Sequence, residues 1–181
     1  MNMPFQGATI IGVDPGNTGG IALLSKSSIV EVVPIPTFQV KTKSGKDKTE
    51  WDLKKLWDIF SRFAGAYPTA AAIEWNNPRN GNCIQAAVTC GQQIVFECMC
   101  IRLGIPTQRI QPSTWTKEFE FGAKKPGKEK AEIRRRYDAL VQRWPDQPEI
   151  HQRLITPRGA FTDRDGMIDA VWIAAYHLDL L

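Results

Sequence analysis

Continuous and alternating apolar runs occupy the first part of this chain, and apolar positions at three- and four-residue spacing follow. Ala8 to Val13 (ATIIGV) is a β-rich run that stops on Asp14, and Pro15-Gly16-Asn17-Thr18-Gly19-Gly20 then forms a tight turn. Gly20 to Leu24 and Ile29 to Ile35 are two further β-type runs, so the first three elements predict an antiparallel meander ended by Pro34 and Pro36. Thr37 to Glu50 is polar and Lys-rich, a loop or hairpin extension. Leu53, Leu56, Trp57, Phe60 and Phe63 recur at helical spacing within Asp52 to Ala64, while Asp52 and Asp58 keep the other face polar. Ala70 to Glu74 (AAAIE) is a buried strand ending in a carboxylate, and Asn76 to Asn82 is a loop. Cys83 to Leu103 predicts one long, mostly apolar helix closed by Gly104. Pro106 to Ile110 is a short strand, and Pro112-Ser113-Thr114 starts a helix. Gly122 to Gly127 breaks the chain before a charged helix, Lys128 to Arg143. Pro145 to Gly159 reads as irregular. Asp163 to Leu181 is the terminal helix, apolar at Met167, Ala170, Val171, Ala174, Ala175 and Leu178.

Three meandering strands followed by alternating helices and strands describe an α/β mixed sheet flanked by helices. At 181 residues the chain fits a single domain, 1–181, and its 43% hydrophobic and 23% charged content are ordinary for a globular protein. No apolar run approaches the roughly 20 residues of a membrane span, and Met1 to Ala8 lacks a basic segment leading into an apolar one. Cys83, Cys90, Cys98 and Cys100 lack zinc-ligand spacing and read as reduced, buried thiols of a cytosolic protein. Only His151 and His177 are histidines, which argues against a histidine-rich metal site.

The net charge of +4 is modest, but its distribution changes the picture. Lys117, Lys124, Lys125, Lys128, Lys130, Arg134, Arg135 and Arg136 crowd one stretch against Glu118, Glu120, Glu129 and Glu132. Lys41, Lys43, Lys46 and Lys48 form a second cluster. Two separated basic segments suit a polyanion-binding protein, although a solvated helix face and a solvated loop carry the same charges.

Three places put acids where a sheet can bring them together. Asp14 closes the first strand, Glu74 closes the fourth, and the last helix begins among Asp163, Asp165 and Asp169. Ligands of sheets with parallel neighbours gather beyond the carboxyl ends of the strands. Taken singly, Asp14 is equally a turn-initiating Asp before Pro-Gly and Glu74 a strand-end acid meeting solvent. On a helix, Asp165 and Asp169, four apart, are offset by only about 40° and share a face. Asp169 stands in an apolar stretch, where a carboxylate needs a cation partner, and a metal is the economical one. Asp163 is better read as the N-cap of that helix. Four carboxylates without histidine or cysteine suit Mg²⁺ or Mn²⁺. Two such ions roughly 3.5–4 Å apart activate a water and stabilise the leaving oxygen in phosphodiester hydrolysis, while basic segments hold the phosphate backbone.

Ile10-Ile11-Gly12-Val13-Asp14-Pro15-Gly16 with Gly19-Gly20, the strand-end pair Ile73-Glu74, and Asp165-Gly166-Met167-Ile168-Asp169-Ala170 occur in an order that resembles the RuvC-like Holliday junction resolvases. Pro112-Ser113-Thr114-Trp115 followed by a Lys-rich, Gly-containing loop is also similar. The likeness spans Ile10 to His177 and leans toward the phage and chloroplast-type branch. In the bacterial pattern the last two metal-binding positions are three apart rather than four. The resemblance implies an RNase H-like fold, catalytic and metal-binding roles for Asp14, Glu74, Asp165 and Asp169, and the use of two Mg²⁺ or Mn²⁺ ions per site. It also implies a homodimer that makes paired, symmetric nicks in a four-way DNA junction, and a phage-infected or bacterial cytoplasm as its setting.

Two departures bear on individual residues. Thr116 follows the Trp where many relatives have Lys, so Lys117 and Lys130 are both eligible as the catalytic lysine. Trp75-Asn76-Asn77 follows the strand-end Glu. Trp75 is a candidate to stack on a base, with a half-buried core Trp as the other reading, and Arg79 lies in a loop that can approach the junction. Lys117, Lys124, Lys125, Lys128 and Lys130 complete the candidate DNA-binding set. Rival functions are an actin-like ATPase or sugar kinase, which needs a second similar domain, and a non-catalytic DNA-binding module, which would be expected to lose a carboxylate. A third rival is an RNase H-like nuclease acting on another branched or duplex nucleic acid. The apolar helix from Cys83 to Leu103, with only Glu97 and Arg102 charged, is either a dimer interface or a buried core helix.

Overall fold

A computed structural model describes residues 8–76, 83–121, 129–155 and 165–181, with the backbone alone for 83–86. The meander forms as predicted: β1 (Thr9–Asp14), β2 (Gly20–Ser25) and β3 (Ile29–Pro34) pair antiparallel, with Asp14 opposite Gly20 and Gly20 opposite Pro34. β4 (Thr37–Lys41) and β5 (Asp47–Trp51) make a separate two-stranded hairpin, the extension rather than the loop. After α1 (Leu53–Ala64), β6 (Ala70–Glu74) runs parallel to β1, and after α2 (Cys83–Arg102), β7 (Thr107–Ile110) runs parallel to β6. The five-stranded order is therefore β3-β2-β1-β6-β7, the mixed sheet of an RNase H-like fold. α3 (Pro112–Glu118), α4 (Glu129–Arg143), α5 (Pro148–Arg153) and α6 (Asp165–Asp179) follow.

Alternation along the strands sorts the core into two layers. Ile10, Ala22, Leu24, Ala70 and Ala72 face the layer of α6, with Trp115, Ile133, Leu140 and Ile150 from the neighbouring helices. Ile11, Val13, Ile21, Ala71 and Ile73 face Leu56, Phe60 and Phe63 of α1 and Phe96 and Cys100 of α2. α1 starts where Asp52 accepts the Lys55 N–H at 3.0 Å, satisfying a donor that the first turn leaves open. Beyond the end of α2, Gly104, with φ of +69°, turns the chain so that the Ile105 N–H reaches the Cys100 carbonyl at 2.9 Å.

The last helix lies directly on the sheet, because glycines remove the side chains between them. A Cβ on Gly12 would strike the Ala170 carbonyl, and one on Gly20 would strike Met167. Gly19 and Gly166 form an isolated parallel bridge that ties the β1–β2 turn to the first turn of α6. Gly166 to Ala175 is buried throughout, sandwiched between β1–β2 and the helices outside it.

Three expectations are corrected. The segment read as irregular holds α5, a short helix with Pro148 in its first turn, whose Ile150 packs in the core beside Leu154. The cysteines are not uniformly buried. Cys100 is enclosed, and burial pushes its thiol up to about 12, whereas Cys90 is half-buried and Cys98 exposed. α2 is neither wholly core nor wholly surface, since Gln93, Phe96 and Cys100 are buried while Val88, Ile94 and Ile101 are exposed. Among the described residues, no helix is long and apolar enough to cross a membrane. Asp163, read as an N-cap, lies outside the described residues.

Candidate active site

The register of β1 on β6 carries the acidic site. Ile10 pairs with Ala70 and Val13 with Ile73, so the next residues on the two parallel strands are Asp14 and Glu74. Both stand two residues beyond positions that face α6, Gly12 and Ala72, and therefore lie on that side of the sheet. The Gly19–Gly166 bridge brings Asp165, the first residue of α6, to the turn that follows Asp14. Asp169 stands one helical turn further along. Strand ends and helix start thus place at one end of the sheet residues that the sequence disperses over more than 150 positions.

Protein donors hold the acids. Glu74 is 8% exposed, and its two carboxylate oxygens accept the Asn76 amide at 3.1 Å and the Trp115 indole N–H at 3.0 Å. Its backbone carbonyl accepts the Gln93 amide at 3.2 Å. Asp165 is half-buried and its Oδ1 accepts the Gly166 N–H at 3.0 Å, at the positive end of α6. Asp14 is half-buried, and its carbonyl accepts the Gly16 N–H at 3.1 Å. Asp169, only 4% exposed, has the cation partner its burial demands, and that partner is Arg136, with Nη1 at 2.7 Å from Oδ1.

Two residues missed by sequence reasoning organise this region. Arg136 is one, read there only as part of a charged helix. Its position three after Ile133 and four before Leu140 on the buried stripe of α4 was the available signal. Asn17 is the other. Its Oδ1 accepts the Trp51 indole N–H at 3.1 Å and the Gln92 amide at 3.2 Å, joining the turn after Asp14 to the hairpin base and to α2. No pattern in the sequence marks that role.

Among the described residues, no three His, Cys, Asp or Glu side chains stand close enough together to hold a metal ion. The donor chemistry fits a hard divalent cation nonetheless. All four groups are carboxylates, two at the ends of adjacent parallel strands and a third beside Gly166, whose backbone bridges to Gly19.

The candidate DNA contacts divide. Lys117 and Lys130 are exposed on α3 and α4. Arg79, Lys124, Lys125 and Lys128 lie outside the described residues. Trp75 is half-buried and belongs to neither core layer, and the Arg109 guanidinium lies 3.7 Å from its ring centroid. Glu97 fixes that guanidinium with two bonds of 2.6 and 2.8 Å, and Arg109 in return holds the Glu97 carboxyl below its ordinary range. At the hairpin, Lys41 and Lys48 pair with Asp47 and Glu50.

No protein-family model and no curated protein matches this chain. Two solved structures align along nearly its whole length. "T. thermophilus RuvC in complex with Holliday junction substrate" is 12% identical, covers 96% of each chain and has a TM-score of 0.48. "Thermus thermophilus RuvC structure" is 15% identical, covers 94% of this chain and 97% of the other, and has a TM-score of 0.41. The fold assignment itself stands on strand order and register.

Proposed function

We propose that this chain is a divalent-cation-dependent endonuclease that cuts four-way DNA junctions as a homodimer. The observation that carries the chemistry is the placement of Asp14 and Glu74 side by side at the carboxyl ends of adjacent parallel strands, against the acidic start of α6. The junction substrate rests on the ordered motifs around Asp14, Glu74 and Asp165 to Ala170.

Asp14, Glu74, Asp165 and Asp169 would hold Mg²⁺ or Mn²⁺, which when bound supplies Lewis-acid activation for hydrolysis of a phosphodiester. The chain's own part is to fix these carboxylates before substrate arrives. Trp115 and Asn76 set the Glu74 rotamer, and the start of α6 sets Asp165. The exposed Lys117 and Lys130 belong to the basic surface that holds the phosphate backbone, an interaction that weakens as salt rises. Trp75, stiffened by Arg109, presents an aromatic surface one residue beyond Glu74.

The dimer reading is supported by α2. Ala87, Gly91, Ile94, Cys98 and Ile101 are exposed at alternating spacings of four and three, with Val88 beside them. This apolar seam of 3.5-residue period carries no charge and includes small residues that permit close helix approach. A C₂ pair through it supplies two active sites related as the two cuts of a junction must be.

Cation dependence tests the chemistry. Nicking is expected in Mg²⁺ or Mn²⁺ and little in Ca²⁺, whose larger radius and irregular coordination support DNA binding without aligning the attack. Cleavage in Ca²⁺ or in EDTA at the Mg²⁺ rate, read on a denaturing gel, would remove the metal from the mechanism.

A further inference from the structure

We propose that Arg136 is a positioning residue for the acidic site, holding Asp169 directly and Glu74 through Trp115; this rests on the divalent-cation reading above. Three consecutive arginines occupy α4. Arg134 and Arg135 are exposed, but the Arg136 side chain is only 2% exposed. A guanidinium is rarely enclosed so completely without a specific partner. Arg136 donates to Asp169 Oδ1 at 2.7 Å, and its guanidinium lies 4.9 Å from the ring centroid of Trp115. That same indole donates to Glu74 Oε2 at 3.0 Å. One cation therefore touches the acid on α6 and, through one buried ring, the acid at the end of β6.

The arrangement is poorly made for stability alone. Arg136 Nε is buried without a hydrogen-bond partner among the described residues, and a buried ion pair is commonly replaceable by apolar side chains at no loss of stability. The backbone around it is fixed, since the Trp172 indole of α6 donates to the Arg136 carbonyl at 3.1 Å. The geometry is that of an outer support for ligating groups. Such supports orient carboxylates before a metal arrives, and their loss typically weakens metal affinity by about ten- to a hundredfold.

The test is Mn²⁺ binding by calorimetry on full-length Arg136→Met, Arg136→Lys and Trp115→Phe proteins, which needs no nuclease assay. Trp115→Phe keeps a ring under the guanidinium but removes the donor to Glu74. Arg136→Met and Trp115→Phe are each expected to raise the Mn²⁺ Kd by about tenfold. Arg136→Lys should recover part of the loss, and the Arg136→Met/Trp115→Phe double variant should lose less than the product of the two singles, because both act on one relay. Arg62→Met, which removes an exposed pair with Glu31, should leave the Kd unchanged. Wild-type or tighter Mn²⁺ affinity in folded Arg136→Lys and Trp115→Phe would reduce Arg136 to a core ion pair and overturn the proposal. If Arg136→Met does not fold, those two variants decide. A wild-type protein that binds no Mn²⁺ would overturn both this proposal and the metal-dependent reading.

Discussion

Asp14→Asn and Glu74→Gln are each expected to lower nicking below about a tenth of the wild-type rate, a loss of at least about 1.4 kcal/mol in the barrier. Junction affinity should stay near wild type or tighten. Binding rests on lysines and arginines, whereas an acidic site repels phosphate unless a cation bridges the two. Asp169→Asn should abolish cleavage as well, but with a second signature. It leaves the enclosed Arg136 without its counter-ion, and removing one partner of a buried pair costs about 3–5 kcal/mol. Its melting temperature should therefore fall clearly, while that of Asp14→Asn, at a half-buried strand end, should change little. Single-turnover nicking, gel-shift affinity and thermal melts on the three variants check this. Nicking above a tenth of wild type in any variant removes that residue from the site.

Ile94→Asp on α2 is expected to turn the proposed dimer into a folded monomer. Ile94 is 49% exposed in the single chain, and Ile101, further along the same seam, is 72% exposed. Burying one such side chain contributes about 1.5–3 kcal/mol, and in a C₂ dimer each substitution acts twice. The combined loss weakens association on the order of a hundredfold or more. The opposite face of the helix, with Phe96 and Cys100, keeps the substituted chain folded. Light scattering at micromolar concentration should give the dimer mass for the wild type and half of it for Ile94→Asp, and paired nicking should be lost. A wild-type monomer, or an Ile94→Asp protein that stays dimeric, would take the interface off α2.

The elements that place Asp14 and Glu74 were legible because uninterrupted apolar runs of strand length stop on a charge. The hydrophobic pattern has little freedom there. That Asp165 and Asp169 share one helix was legible from helical spacing. Their connection to Asp14 was not, since it depends on the close approach of Gly19 and Gly166. β4 and β5 were legible only as a loop or a hairpin, because Phe38, Val40 and Trp51 are the sole apolar residues of the two strands and too few to decide between them. α5 was obscured by Pro148 and by a length of six residues, too short for periodicity to accumulate. For α2 the apolar content runs nearly all round, so sequence left core and interface equally open. Only packing showed that one side covers the sheet and the other does not. Asp169 was read as needing a cation, with a metal as the economical one, and the structure supplies a guanidinium from 33 positions upstream. Arginine in a run of three reads as solvated surface unless its place on the helical stripe is weighed together with a buried acid elsewhere.

The activity proposed for this protein is a pair of symmetric cuts in a four-way junction. The most direct measurement is incubation of the purified protein in Mg²⁺ with a four-way junction, a fork and a linear duplex of shared sequence, each strand labelled in turn. Symmetry-related nicks in two opposing strands of the junction, with the linear duplex bound more weakly and left essentially intact at moderate salt, are the result expected. Equal binding and cutting of junction and linear duplex would contradict the assignment and leave a nuclease of another substrate class.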